Sequence, residues 1–216
     1  MLLLVGMMSC AGFGQQAGKG EAEVRFQFER EGVPVPRFTL TVRESGEGSY
    51  QAEEAGRGPQ PVEAQRSERS LVLDPEVVQK IFAAAHELHG FDVACASKAK
   101  NIADTGMKTL SYKGPDGAGS CVYNFSENKV VVMLTDLFAG IAYTMDEGRK
   151  LAFQHRFDRL GLDAELETLA QAVQEKRACE VRTISPVLES IAVDTELMQR
   201  ARVRASRLLE MAKQGR

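Results

Sequence analysis

The 216-residue chain has no tryptophan, three histidines, four cysteines and no large excess of charge of either sign. Its 27 lysines and arginines stand against 30 acidic residues, so the formal net charge of -3 gives no reason to expect a nucleic acid partner. The sequence also lacks a phosphate-binding Walker loop and the G-x-S-x-G motif of many hydrolases. These absences exclude the most easily recognised classes of nucleotide-binding protein and serine hydrolase.

The first residues have the pattern of an export leader. Residues 1–17 hold no charged side chain, and their apolar run is shorter than a membrane-spanning helix needs. A signal peptidase can cut near Cys10 or at Ala17; alternatively, Cys10 behind Ser9 resembles a bacterial lipoprotein site and carries the lipid. A third interpretation is an apolar N-terminus on a cytoplasmic protein. We expect export to the periplasm, the outer envelope or the medium, with membrane attachment if Cys10 is lipidated.

The cysteine pairing depends on this leader. Removal or lipidation of Cys10 leaves Cys95, Cys121 and Cys179, and two of these three can pair in an oxidising compartment. Cys121 lies in a strand-like stretch, and Cys95 lies in the irregular segment that leads towards the partner strand of its hairpin. We therefore expect a disulfide between Cys95 and Cys121, with Cys179 as the leftover thiol. The alternative is three buried free thiols.

The N-terminal half has the period of two that is typical of half-buried strands. Apolar and polar residues alternate over Val24–Phe28 and Phe38–Val42, and a third strand follows a glycine-rich turn. Residues 53–69 hold almost nothing that can be buried, which predicts a mobile loop. A short strand at 71–73 and a second hairpin at 107–125 complete a predicted antiparallel sheet.

Helical signals follow these strands. Asp74-Pro75-Glu76 predicts the start of a helix over 75–89 that ends at Gly90. A helical period begins after Ser126 and continues to Gly161, and three further helices are predicted to start at Asp163, Ser185 and Asp194. This order predicts an α+β fold in one domain, with a β-rich part over 22–125 and a helical part over 126–213 packed on it.

One tripeptide matches the catalytic motif of aspartic proteases. In those enzymes two copies of Asp-Thr-Gly share a proton and activate water, and Asp104-Thr105-Gly106 is the match in this chain. The sequence has no second copy, and Met107 follows where those enzymes usually have Ser or Ala. We therefore expect Asp104 and Gly106 to form a turn before a strand.

The histidines offer one candidate metal site. His86 and His89 are three residues apart, which places both imidazoles on one face of the predicted helix at a spacing that can hold Zn²⁺. Asp92 or Cys95 can complete such a site. The alternative is that both histidines lie against the carbonyl end of the helix dipole. We favour this alternative and expect neither a metal ion nor another cofactor.

Two groups of charged residues occur in the C-terminal part. The basic residues of the last predicted helix are Arg200, Arg202, Arg204, Arg207, Lys213 and Arg216. They can bind an anionic lipid or polymer, or they can pair with acidic residues elsewhere in the chain. The second group predicts an ion-pair knot at a helix corner where Gly161 has a positive φ: Arg156, Asp158, Arg159 and Asp163.

Two stretches carry a resemblance to other proteins. DTGMKTLSYKGPDGAGSCVYNFSENK (104–129) and HRFDRLGLDAELETL (155–169) resemble uncharacterised exported proteins of environmental bacteria, notably acidobacterial ones. The resemblance extends over about residues 22–210. It implies export and an α+β arrangement, and it implies no reaction and no catalytic residue.

The sequence therefore favours a non-enzymatic exported or cell-envelope protein that binds a ligand or partner. We expect the binding surface to include the sheet and the 53–69 loop. The alternative is an exported hydrolase that uses Asp104 or a metal ion at His86 and His89. A third possibility is a scaffold that lies on the membrane surface through its last helix.

Overall fold

The N-terminal half forms strands in which apolar and polar side chains alternate, as predicted. The computed structural model describes residues 20–55 and 65–214. Within these residues six strands form one antiparallel sheet in the order β4-β3-β2-β1-β5-β6. The strands are β1 Glu23–Glu29, β2 Arg37–Arg43, β3 Glu47–Glu54, β4 Gln65–Val72, β5 Met107–Gly114 and β6 Gly117–Tyr123. The second hairpin thus joins the N-terminal meander at β1.

The inner face of the sheet carries much of the core. Phe26 of β1 lies opposite Leu40 of β2 and Leu110 of β5, and all three side chains are fully buried. Phe138 of a covering helix stacks on Phe26, with ring centroids 5.2 Å apart. Since successive strand residues point to opposite faces, the polar residues between these positions face outwards.

In the described part of the chain, five α-helices cover the inner face and build the C-terminal part. They are α1 Pro75–Glu87, α2 Lys129–Phe157, α3 Leu162–Gln174, α4 Ser185–Val193 and α5 Gln199–Lys213. The helices α1 and α2 contact the sheet, while α3, α4 and α5 pack against α2 or against each other. This arrangement confirms the predicted α+β fold with a helical C-terminal third. No described helix combines the length and the apolar character that crossing a bilayer requires.

The predicted start of α1 is confirmed, but the helix ends at Glu87 and not at residue 89. The side chain of Asp74 accepts a hydrogen bond from the backbone N–H of Glu76, and Pro75 occupies the first turn. Gly90 takes a φ of 65° just beyond the helix. The α2 start differs from the prediction: Asn128 caps the helix, whereas Ser126, two residues earlier, accepts the N–H of Asn128.

The predicted loop over 53–69 is wrong at both ends. The strand β3 continues to Glu54 and β4 begins at Gln65, while residues 56–64 lie outside the described residues. The strand β4 lies at the edge of the sheet. Charged side chains are common on edge strands because they oppose pairing with another chain. Arg66 of β4 contacts Glu53 of β3 at 2.8 Å, and Gln51 donates to Glu68 at 3.1 Å.

Three predicted helix boundaries in the C-terminal part are wrong. Helix α2 ends at Phe157, and Gly161 is the residue before α3 with an ordinary φ of -75° rather than a positive one. Asp163 lies inside the first turn of α3 and does not cap it. Asp194 ends α4 and accepts the N–H of Glu196, so α5 begins only at Gln199. The predicted start at Ser185 is confirmed.

Candidate functional site

An open groove of about 420 Å³ runs along α1. Val78 and Phe82 lie at its floor and are almost fully buried, while Glu44 and Ser45 of the turn between β2 and β3 form a wall. Ligand sites are typically concave, mostly apolar and several hundred Å³ in volume, with a few polar groups that orient the ligand. The groove has this composition. Its remaining lining residues are Pro75, Gln79, Ala83 and His86.

Hydrogen bonds connect this turn to the segments that precede α1 and β1. The N–H of Leu73 donates to the carbonyl of Gly46 at 3.0 Å, and the N–H of Ser45 donates to Glu21 Oε1 at 2.6 Å. Gly46 has a φ of 89°, which glycine adopts without strain. Hydrogen bonds from Ser45 lower the pKa of Glu21 below its ordinary value. The groove wall therefore has a fixed position relative to α1.

His86 meets two groups of the second hairpin at one end of the groove. Its Nδ1 lies 3.6 Å from Asp116 Oδ2, and its ring lies edge-on to Tyr112 with centroids 5.7 Å apart. The Tyr112 hydroxyl donates a short hydrogen bond to Asp116 Oδ1. Asp116 reaches this position because it lies in the two-residue turn between β5 and β6. Sequence spacing identified His86 but not its partners, since they come from a different hairpin.

This end of the groove is negatively charged. The hydrogen bond from Tyr112 lowers the pKa of Asp116, so this carboxylate is ionised at neutral pH. Burial and Asp116 raise the pKa of Tyr112 to about 12, and the charge of Glu44 acts in the same direction. Neither Glu44 nor Asp116 forms an ion pair with a lysine or arginine within the described ranges. A ligand with a cationic group therefore matches this end.

The two candidate zinc ligands do not share a helical face. His89 lies beyond the last residue of α1 and has a φ of 51°, whereas His86 lies in the last turn of the helix. In the described part of the chain, no group of three histidine, cysteine, aspartate or glutamate side chains is close enough to hold a metal ion.

Asp104 forms the predicted turn before β5. Its Oδ1 accepts the N–H of Gly106 at 2.9 Å, and Gly106 has a φ of 90°. The neighbouring Lys108 is almost fully buried, and its ammonium group donates to three carbonyl oxygens and to the Thr105 hydroxyl at 2.8–3.1 Å. Burial lowers the pKa of Lys108. Asp104 thus belongs to a turn that shields a structural lysine.

The outer face of the sheet, where binding was expected, is polar and internally paired. Arg37 lies 2.6 Å from Glu29 and 3.5 Å from Glu53, and Arg66 also contacts Glu53. A hollow of about 600 Å³ lies between these side chains on β2, β3 and β4. Because its charges neutralise one another, this hollow offers less to a ligand than the groove beside α1.

A serine, a histidine and an aspartate meet where α2 contacts α4. His155 Nε2 lies 2.9 Å from Asp194 Oδ2, and His155 Nδ1 lies 3.4 Å from Ser190 Oγ. Sequence spacing gives little sign of this contact, since His155 is 35 residues from Ser190 and 39 from Asp194. Ser190 donates its hydroxyl to the carbonyl of Val187 within α4 at 2.7 Å.

Helix α4 supplies no oxyanion hole beside this trio. Ser190 lies in the body of α4, where the backbone N–H groups are committed to the helix and cannot form an oxyanion hole. The hydrogen bond with His155 lowers the pKa of Asp194, and Arg159 contacts the same carboxylate at 3.8 Å. We interpret the trio as a polar clamp between α2 and α4.

The predicted ion-pair knot has different members. Asp163 pairs with Arg200 at 3.0 Å and with Arg204 at 2.9 Å, both on α5, while Arg159 pairs with Glu196. Arg156 instead lies over the ring of Phe157. Lys213 of α5 also pairs with Glu210. Three basic residues of α5 are thus paired with acidic residues: Arg200, Arg204 and Lys213. This pairing favours a solvated face over a lipid-binding one.

The predicted cysteine pairing is confirmed. Cys95 and Cys121 lie at disulfide distance, with Cα atoms 5.8 Å apart, and Cys121 belongs to β6. Of the cysteines in the described ranges, Cys179 is the free one. Burial raises the pKa of its thiol to about 12, so it is a poor nucleophile. Cys10 lies outside the described residues.

Comparison with known proteins adds no identity. No protein-family model matches the chain, and no curated protein matches it. The groove beside α1 and its charges are therefore the features that bear on function.

Proposed function

We propose that this chain is an exported, non-enzymatic binding protein whose groove beside α1 takes a partner segment with apolar residues and a basic residue. One observation carries the proposal. The apolar floor at Val78 and Phe82 leads to an end where Glu44 and Asp116 have no cationic partner among the described lysines and arginines.

The two parts of the groove have different roles. An aliphatic side chain of the partner that is fully buried on the floor gains about 1.5–3 kcal/mol from leaving water. A guanidinium group at Asp116 forms charge-assisted hydrogen bonds, which orient the segment along the groove. Tyr112 already holds Asp116 in place, so this carboxylate needs little reordering when the ligand binds.

Residues 1–17 support the proposed export, since they combine an apolar run with the absence of charge. The resemblance to exported proteins of environmental bacteria supports it too, and the Cys95–Cys121 pair is compatible with an oxidising compartment. Lipidation of Cys10 would attach the protein to a membrane. Fractionation of expressing bacteria, followed by the mass of the mature chain, tests this part: cytoplasmic protein that keeps residues 1–17 contradicts export.

Peptide binding tests the groove. The probes are two short synthetic peptides, one of leucine and arginine and one of leucine and glutamate, measured by fluorescence anisotropy. We expect the arginine peptide to bind, and we expect Ala83→Trp, which fills the groove, to weaken binding by about tenfold or more. Ala164→Trp on the exposed side of α3 is the matched control and leaves binding unchanged.

Charge reversal provides the second arm of this test. Glu44→Lys is expected to weaken binding of the arginine peptide and to improve binding of the glutamate peptide. Equal binding of both peptides, or equal affinity of the two tryptophan variants, would contradict the proposed groove.

A further inference from the structure

Glu147 is buried where α2 packs on α3. Its side chain is 1% exposed, which is rare for a carboxyl group. Its Oε1 lies 2.5 Å from the ammonium group of Lys150 one turn later. Its Oε2 is also buried, and it has no hydrogen-bond partner among the described atoms. A buried acceptor without a donor is costly, so this oxygen needs an explanation.

A second carboxyl group faces Glu147 from α3. Glu165 Oε1 lies 3.8 Å from Lys150, and Glu165 Oε2 accepts a hydrogen bond of 3.3 Å from Gln154. The cluster therefore contains two carboxyl groups and a single ammonium group, which can neutralise only one of them. If both carboxyl groups are ionised, the cluster carries an uncompensated negative charge beside the almost fully buried side chain of Glu147.

Among the described residues, the charged groups that act on Glu147 are Lys150 and Glu165. From α2 the charged or titratable neighbours are Lys150 and, next to Lys150, the phenol of Tyr143. From α3 the neighbour is Glu165. The segment 181–184 presents the apolar side chain of Ile184, which packs so closely on Gly148 that a Cβ there would lie 2.3 Å away. Within the described residues, neither Glu147 nor Glu165 pairs with a base other than Lys150.

We propose that Glu147 and Glu165 share one proton, and that this proton is a pH-sensitive latch between α2 and α3. Glu147 then donates from Oε2 to Glu165, which satisfies the buried oxygen, and the cluster becomes neutral. Loss of the proton leaves two carboxylates facing each other across the helix contact. The latch is closed at lower pH and weakened at higher pH.

The direction of the pH effect follows from the pKa of Glu147. Burial, followed by the hydrogen bond with Glu165, raises this pKa from an ordinary value of 4.5 to about 7, although Lys150 acts in the opposite direction. The folded chain thus holds this proton more tightly than the unfolded chain does. The stabilisation is complete below the ordinary pKa and is lost as the pH rises through the folded-state pKa of about 7.

Hydrogen exchange of the full-length protein tests the latch. The protection of α3 amides, corrected for intrinsic exchange, is measured one pH unit below and one unit above the Glu147 pKa of about 7. We expect α3 protection to fall several-fold at the higher pH in the wild type and to stay constant in Glu147→Gln, which mimics the protonated state. The control Glu189→Gln, at an exposed position of α4, behaves as the wild type. An α3 protection that does not change with pH in the wild type overturns the proposal.

A measurement on the wild type does not depend on the folding of any variant. Carbon-13 NMR of the glutamate side chains reports the titration of each carboxyl group. We expect one carboxyl to titrate near 7 and to be absent from Glu147→Gln, and Glu165→Gln to shift its titration. If every glutamate titrates below about 5.5, within the ordinary range of this residue in proteins, the shared proton does not exist.

Discussion

Tyr50 of β3 donates a hydrogen bond of 2.9 Å to Asp146 Oδ1 of α2, and 96 residues separate the two in sequence. Burial raises the pKa of both groups, so the phenol keeps its proton while it binds the carboxyl group. Arg149 and Glu54 pair at 2.7 Å next to this bond. Together these contacts fasten α2 to the strands at the β4 edge of the sheet.

Replacing Tyr50 with phenylalanine is expected to destabilise the protein by about 1–3 kcal/mol, because the half-buried Asp146 loses its donor. Urea unfolding measures the change in the free energy of unfolding. The control is Tyr123→Phe, whose hydroxyl partner Thr135 is neutral and can instead donate to the carbonyl of Val131. A loss in Tyr50→Phe no larger than in this control would contradict the role of Asp146.

Removing the Cys95–Cys121 link is expected to lower the free energy of unfolding by about 3–4 kcal/mol, since the link spans 26 residues. The double variant Cys95→Ala/Cys121→Ala, compared with Cys179→Ala, measures this effect in urea. Alkylation of protein that is unfolded without reductant provides the chemical check. Cys179 is expected to label and the other two are not; labelling of Cys95 and Cys121 would show that they are free.

Lys108→Met is expected to lower the free energy of unfolding by about 1–3 kcal/mol. The carbonyl groups of Thr105, Gly106 and Asn124 lose a shared donor in this variant. Lys113→Met is the matched control, since Lys113 is exposed at the other end of the same strand. Thermal unfolding of both variants compares them directly. Equal melting temperatures would mean that the Lys108 ammonium group contributes nothing.

Replacement of Ser190 tests whether His155 and Asp194 form a polar clamp between α2 and α4. Since Ser190 donates within its own helix and is exposed, Ser190→Ala is expected to change stability by less than about 0.5 kcal/mol. His155→Ala is expected to lower the melting temperature, because it leaves Asp194 without its closest partner. Hydrolysis of p-nitrophenyl acetate that disappears in Ser190→Ala would instead indicate a nucleophile.

The sequence predicts elements well where the deciding residues are neighbours in the chain. The alternation in β1 and β2 and the Asp74-Pro75 start of α1 are local signals, and the structure confirms them. Only the end of the strand β4 lies within the strand predicted at 71–73, because its other residues are polar and pair across the sheet with β3 rather than being buried. Hydrophobic patterning carries no information about such an edge strand.

Distant partners explain the errors in the C-terminal part and at the site. Asp163 resembles a helix cap in sequence, but Arg204, 41 residues later, binds its carboxylate. Likewise, the sequence indicated His86 as a candidate ligand but did not indicate Asp116 and Glu44. These two residues lie in turns that only the strand order of the sheet brings close to α1. Turn residues have no periodic pattern, so the sequence does not predict which turns lie close together in the folded protein.

NMR mapping of the peptide contact shows whether the peptide binds in the groove beside α1. The leucine and arginine peptide is titrated into labelled protein, and the backbone amide shifts are followed. The groove beside α1 predicts the largest shifts at Ser45, Gln79, Ala83 and His86. The largest shifts at Thr39 and Gln51, on the outer face of the sheet, would place binding in the polar hollow and rule out the groove beside α1.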